Sequence, residues 1–268
     1  MGSTASQFVG GVPDFYDRYL GPVIFNPYAV DLAKRLWRFA GNDVLEIACG
    51  TGVLTDQLHQ SLPQGTRLVA TDLNQGMLDI AQRRVPDPRV SWKVADGAAL
   101  PFEDRSFDIV VCQFGVMFFP DKLAGIREAR RVLRESGRYV FNVWDAFEAN
   151  PFGRIAHQTI ASFFPSEPPR FYQTPFGFSD ESTIRSTLRD AGFRSTAIEW
   201  VSKNTVSANA HDFAVGLVRG NPVIQMIEER GTVDPEEVIR GVEQALVKEG
   251  GDQPFRSTMR ALVVTAKV

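Results

Sequence analysis

The chain has 268 residues, 44% hydrophobic and 23% charged, an ordinary globular composition long enough to bury a sizeable core. A formal net charge of −3 without any long basic run argues against a protein that neutralises nucleic-acid phosphates or grips an anionic membrane. Cys49 and Cys112 sit far apart inside apolar runs, and His59, His157 and His211 are scattered. This excludes a disulfide framework and a local metal motif, and fits a reduced, cytoplasmic protein with no metal.

The opening MGSTAS fits the short N-myristoylation pattern, with Ser6 at the matching place, but no polybasic second signal follows. No apolar run reaches the ~18 residues of a spanning helix, so no membrane insertion is expected. Residues 1–40 read as an N-terminal helical segment, in which Tyr16 and Tyr19 punctuate PDFYDRYLGPVIFNPYA.

From residue 41 to 146 strand and helix alternate. DVLEIACG is a short apolar run, ended by Gly50 and Gly52 just before VLTDQLHQSL, whose Leu54, Leu58 and Leu62 recur at helical spacing. TRLVATDL is a second strand, followed by a helix over Gln75 to Arg84 that Pro86 closes. RVSWKVAD alternates as a third strand, and SFDIVVCQF is continuously apolar, as a central parallel strand must be. DKLAGIREARRVLRESG carries Leu123, Ile126, Ala129, Val132 and Leu133 on one stripe and is expected to run as a helix to Gly137. RYVFNVWD is the fifth strand. Each parallel crossover needs covering on a face, so the pattern predicts an α/β, doubly wound, Rossmann-like sheet with ligands at the carboxyl ends of its strands.

After residue 146 the rhythm changes. A helix is expected after Pro151, then the aromatic, proline-rich FFPSEPPRFYQTPFGF, then a short helix capped by Ser179 and stopped by Gly192. STAIEWVSK is a strand, DPEEVIRGVEQALVKEGG a helix opened by Asp234 and Pro235, and MRALVVTAKV a final strand. With no Gly/Ser-rich linker between the halves, the reading is one domain. Segments 147–180 and 203–255 form an inserted helical cap, and 256–268 the last strand.

A strand, a glycine turn and a helix N-terminus make an anion site. Gly50 and Gly52 fit a dinucleotide turn, but Thr55 stands where a third small residue belongs. Asp72, about 20 positions on, suits a ribose in either case. Glu46 separates the candidates: an acid before the turn disfavours pyrophosphate and suits a ligand bearing ammonium and sulfonium groups. Asp96, after the third strand, is placed to accept from an adenine amino group.

The stretches VLEIACGTG, VATDLNQGML, VADGAALPFEDRSFDIVVCQF and EARRVLRESGRYVF resemble the class I S-adenosylmethionine-dependent methyltransferases, most closely the ubiquinone/menaquinone-biosynthesis group. The resemblance implies seven strands with an antiparallel last one. It implies S-adenosylmethionine as cofactor and S-adenosylhomocysteine as product. It places Glu46, Ala48, Gly50 and Gly52 at the methionine end, Asp72 and Leu73 on the ribose and Met77 against the adenosine. Asp96, Gly97 and Ala98 would bracket the adenine, Gln113 and Phe114 would flank the sulfonium, and Tyr16 would fold over the cofactor.

In-line methyl transfer needs positioning and dryness more than acid–base groups. No base stands out, and His157, His211 and Tyr172 read as structural. Phe163, Phe164, Phe171, Tyr172, Phe176 and Phe178, with Met117, Phe118 and Phe119, are expected to wall a pocket for a small, apolar or aromatic acceptor. A nucleotide-dependent oxidoreductase and a macromolecule-methylating enzyme are the alternatives. No partner beyond a small molecule is expected, and monomer and homodimer stay open.

Overall fold

The computed structural model describes residues 8–39 and 41–268, so MGSTAS and its Ser6 lie outside the described residues. One sheet holds β1 (Asp43–Ile47), β2 (Arg67–Asp72), β3 (Val90–Val94), β4 (Phe107–Gln113), β5 (Leu133–Trp144), β6 (Ser195–Ser207) and β7 (Phe255–Lys267). Their order is β3-β2-β1-β4-β5-β7-β6. The first five strands are parallel, and β7 runs antiparallel between β5 and β6.

The apolar runs explain which strands are central: Val44, Leu45, Ile109, Val110, Val111 and Cys112 are all buried. α3 (Val53–Ser61), α4 (Gln75–Arg84) and α5 (Lys122–Val132) connect the parallel strands. β2 lies on one side of β1 and β4 on the other, so the strand order reverses there and opens a crevice at their carboxyl ends.

The helix expected to reach Gly137 stops at Val132, because Leu133 is already paired with Phe107 and fully buried. Gly137 lies instead inside β5, near the register shift, where a Cβ would fall 2.8 Å from the Arg134 carbonyl oxygen. β6 continues past the expected STAIEWVSK to Ser207, because β7 pairs with its whole length.

At the N-terminus α1 (Val12–Phe15), a π-helix (Tyr16–Phe25) and α2 (Asn26–Leu36) follow one another. Pro22, inside the π-helix, has no N–H to donate to a ladder. Within the segments expected to form the cap lie α6 (Pro151–Ser162), α8 (Ala210–Arg219), α9 (Val223–Arg230) and α10 (Pro235–Gly250), while α7 (Glu181–Asp190) falls between them and packs against α5 and β6. Asp180, not Ser179, caps α7, its carboxylate accepting the Thr183 N–H at 2.7 Å. Gly192 follows that helix with φ +93°, and Asp234 caps α10 as expected. Among the described residues no helix is long and apolar enough to cross a membrane.

Candidate active site

Past Ile47 the chain turns through Ala48, Gly50 and Gly52, all at positive φ, and enters α3. The two glycines meet different neighbours. A Cβ on Gly52 would lie 2.9 Å from Ala81 Cβ, so this glycine lets α3 close against α4. A Cβ on Gly50 would meet nothing nearer than Tyr16 Oη at 4.0 Å, so this glycine keeps space open. Ala48 tolerates its left-handed backbone beside Gly115, where a Cβ would come 2.6 Å from Ala48 Cβ.

Asp72 ends β2 under the turn. One carboxylate oxygen accepts the Gly50 N–H at 2.9 Å, and the other accepts the Asn74 N–H at 2.8 Å. Burial raises its pKa, against the lowering pull of those bonds. Asp96 similarly accepts the Ala98 N–H at 2.9 Å, which curls the loop after β3. Glu46 is 1% exposed beneath the turn, where its carboxyl accepts the Thr55 hydroxyl at 2.7 Å. Burial pushes its pKa up to about 8, against the lowering pull of the Thr55 bond, which favours the protonated form.

At the tip of β4, Gln113 donates from Nε2 to the Phe25 carbonyl at 3.3 Å, tying the π-helix to the sheet. Phe114, at φ +52°, stacks on Trp144 with ring centroids 3.9 Å apart. Asn142 holds that bend by accepting the Phe114 N–H at 3.0 Å on its side-chain oxygen.

These elements enclose a cavity of about 250 Å³ at the carboxyl ends of the strands. Of the predicted residues, Tyr16, Ala48, Gly50, Asp72, Leu73, Met77, Asp96, Gly97, Gln113 and Phe114 line it, whereas Glu46, Gly52 and Ala98 do not. The expected aromatic wall is present in Met117, Phe118, Phe119, Phe171, Tyr172 and Phe176. Phe163, Phe164 and Phe178 pack elsewhere: Phe163 under Gly241, Phe164 beneath Arg230 and Phe178 beneath Lys122.

Sequence reasoning missed Asn74, Trp144, Phe152, Leu217, Asn221 and the π-helix residues Leu20, Ile24 and Phe25. Asn74 and Trp144 had a signal, one just past β2 and the other ending β5, both strands whose carboxyl ends face the crevice. The others depend on how α6, α8 and the π-helix fold back. His157 is not on the wall; its ring stacks on Phe147. His211 pairs with Glu243 at 2.9 Å.

No Lys, Arg or His stands among the described residues lining the cavity, while Asp72 and Asp96 do. A pyrophosphate would meet carboxylates with no cation to offset them. A ribose, an adenine amino group and an ammonium would each find an acceptor there. The lining therefore fits S-adenosylmethionine and does not fit a dinucleotide.

Residues 44–137 match the family described as "Methyltransferase domain". The ubiquinone/menaquinone biosynthesis C-methyltransferase UbiE of Hahella chejuensis is 38% identical over 173 residues, covering 57% of this chain and 67% of that one. The chain belongs to the class I S-adenosylmethionine-dependent methyltransferases. The demethylmenaquinone methyltransferase of Lactococcus lactis is 29% identical over 228 residues, covering 78% of this chain and 88% of the relative. Phosphoethanolamine N-methyltransferase 2 of Haemonchus contortus, solved with S-adenosyl-L-methionine, shares the fold at a TM-score of 0.56 and 18% identity, covering 97% of this chain and 60% of that one. This methyltransferase thus uses S-adenosylmethionine, yields S-adenosylhomocysteine and acts on a small molecule.

Proposed function

We propose that this methyltransferase acts on a planar, largely apolar acceptor of the quinol or phenol kind. The observation that carries the reading is the far half of the cavity, walled by Phe118, Trp144, Phe152, Phe171, Tyr172 and Phe176 without a charged side chain among them. The names of the Lactococcus and Hahella relatives, which refer to quinone biosynthesis, support the same acceptor class.

In this reading Gly50, Asp72, Leu73, Met77, Asp96 and Gly97 hold the cofactor. Asp72 Oδ1 accepts both the backbone N–H and the side-chain amide of Asn74, whereas Oδ2 accepts the Gly50 N–H and is the oxygen offered to a ribose hydroxyl. Asp96 takes the adenine amino group. Glu46, Gly52 and Ala98 shape the turn and loop, while Gln113 and Phe114 mark the border between cofactor and acceptor. Tyr16, stacked on Phe25 at 4.7 Å, closes the cavity from the π-helix.

The bound cofactor supplies a methyl group on a sulfonium. The protein contributes apolar walls that exclude water and align the acceptor with that methyl. Among the described residues lining the cavity there is no lysine or histidine to serve as base. Tyr172 donates its proton to the Leu217 carbonyl at 2.6 Å, and burial raises the pKa of both Tyr172 and Tyr16. The acceptor therefore enters in its ionised form, having released its proton to solvent beforehand.

The test is incubation with methyl-labelled S-adenosylmethionine and a panel of 2-naphthol, 1,4-naphthohydroquinone, serine and phosphoethanolamine, read by mass spectrometry. Products from the two aromatic compounds are expected, with a pH–rate profile that follows each compound's own ionisation. Methylation of serine or phosphoethanolamine alone would overturn the reading.

A further inference from the structure

β6 is an edge strand. It pairs with β7 from Ser195↔Lys267 to Ser207↔Phe255 without a register shift, and among the described residues no strand lies beyond it. The neighbouring bonds fix which backbone groups point outward. Arg260 of β7 turns away from β6: its carbonyl accepts the Asp145 N–H at 3.0 Å, and its N–H donates to Asn150 Oδ1 at 2.9 Å. Even-numbered β7 residues thus face the β5 side and odd-numbered ones face β6.

The register then makes the odd-numbered β6 residues face β7, leaving the N–H and C=O groups of Ile198, Trp200, Ser202 and Asn204 on the open edge. The same parity puts the Thr196 carbonyl on that edge, and Arg185 does reach it there, donating at 2.8 Å.

Folded proteins blunt such edges with proline, bulges or short length. β6 has none of these over its 13 residues, and its edge charges, Glu199 and Lys203, are of opposite sign. Trp200 and Val206 are 50% and 40% exposed along it.

We propose that a second copy of this chain pairs antiparallel with β6 about a twofold axis at Val201, joining two sheets into one. Charge selects this register. Centred on Val201, Glu199 of each copy stands opposite the partner's Lys203. Centred one residue later, Glu199 would face the partner's Thr205 and the complementarity would be lost.

Backbone parity agrees, since Trp200 of one copy and Ser202 of the other then form hydrogen-bonded pairs while Glu199 and Lys203 occupy the closer non-hydrogen-bonded sites. α2 extends the charge pattern: Arg35 holds Glu199 at 2.8 Å and Asp31 holds Lys203 at 3.2 Å, so each copy presents its signs in an order that the twofold complements. On the opposite face the two Trp200 rings become diagonal neighbours.

Sedimentation velocity of the full chain over a concentration series tests this. A concentration-dependent dimer is expected. Ser202→Pro, which deletes an outward N–H without touching the β6–β7 ladder, should raise its dissociation constant by about tenfold or more. E199K and K203E should each do the same, because each places like charges opposite one another, and an equimolar mixture of the two should restore dimers. Unchanged far-UV circular dichroism and S-adenosylhomocysteine affinity check that the variants fold. A chain that stays monomeric throughout overturns the proposal, as does a dimer indifferent to Ser202→Pro or an E199K/K203E mixture that stays apart.

Discussion

Gly50 and Gly52, two positions apart in one turn, answer to different constraints, and their substitutions should separate accordingly. Gly52→Ala meets both a left-handed backbone and the Ala81 methyl at 2.9 Å, so it should cost about 2–3 kcal/mol of stability by thermal denaturation. Gly50→Ala meets only the backbone penalty, about 1 kcal/mol, but narrows the space beneath Tyr16 and should weaken S-adenosylhomocysteine binding more than Gly52→Ala does. Glu46 shows what local sequence leaves out. Its place before the turn was legible, but its charge state depends on burial that only the folded core creates. Its folded pKa of about 8 lies above its ordinary 4.5, so the folded state holds a proton that the unfolded chain has released. Stability from this group is full below about pH 4.5 and lost as pH rises through about 8. Melting temperatures across that window should fall more steeply for the natural protein than for Glu46→Gln, with Asp72, also raised, supplying the slope that remains.

At the level of elements, the β1 turn, β2 and β4 were readable because glycine punctuation and continuous apolar runs report local geometry directly. The end of α5 was not. Its apolar stripe continues through Leu133, and only the pairing of that residue with Phe107 draws it into a strand. The π-helix was equally hidden, because its ladder depends on what it lies against. Gly220 and Gly216 of the α8 region let it close: a Cβ on Gly220 would fall 3.0 Å from the Tyr16 nitrogen, and one on Gly216 would fall 2.7 Å from Tyr19 Cβ. Arg84 secures the same segment, bonding Asp17 and the Thr51 carbonyl at once. Gly220→Ala should therefore displace the π-helix, speed hydrogen exchange over Tyr16–Phe25 and weaken S-adenosylhomocysteine binding. Unchanged exchange there would show that the segment does not depend on this contact.

Across the whole molecule, the parallel half of the sheet supplies an acidic crevice, and the cap supplies an aromatic lid over its other side. Residues 41–146 were legible because alternation of strand and helix is a periodic signal. The acceptor wall was half legible: Phe171, Tyr172 and Phe176 arrive together from one loop, but Trp144, Phe152 and Leu217 arrive from separate elements. That division fits an enzyme whose cofactor half is built from contiguous motifs and whose acceptor half is assembled by packing. The claim joining the two halves is that Asp72 anchors the cofactor through oxygens already oriented by the turn. Calorimetric titration of S-adenosylhomocysteine into the natural protein and into Asp72→Ala tests it most directly. One-site binding to the natural protein, weakened at least about tenfold in the variant, is expected from losing a carboxylate's hydrogen bonds. Equal affinity in the two proteins, with Asp72→Ala still folded by circular dichroism, would contradict it.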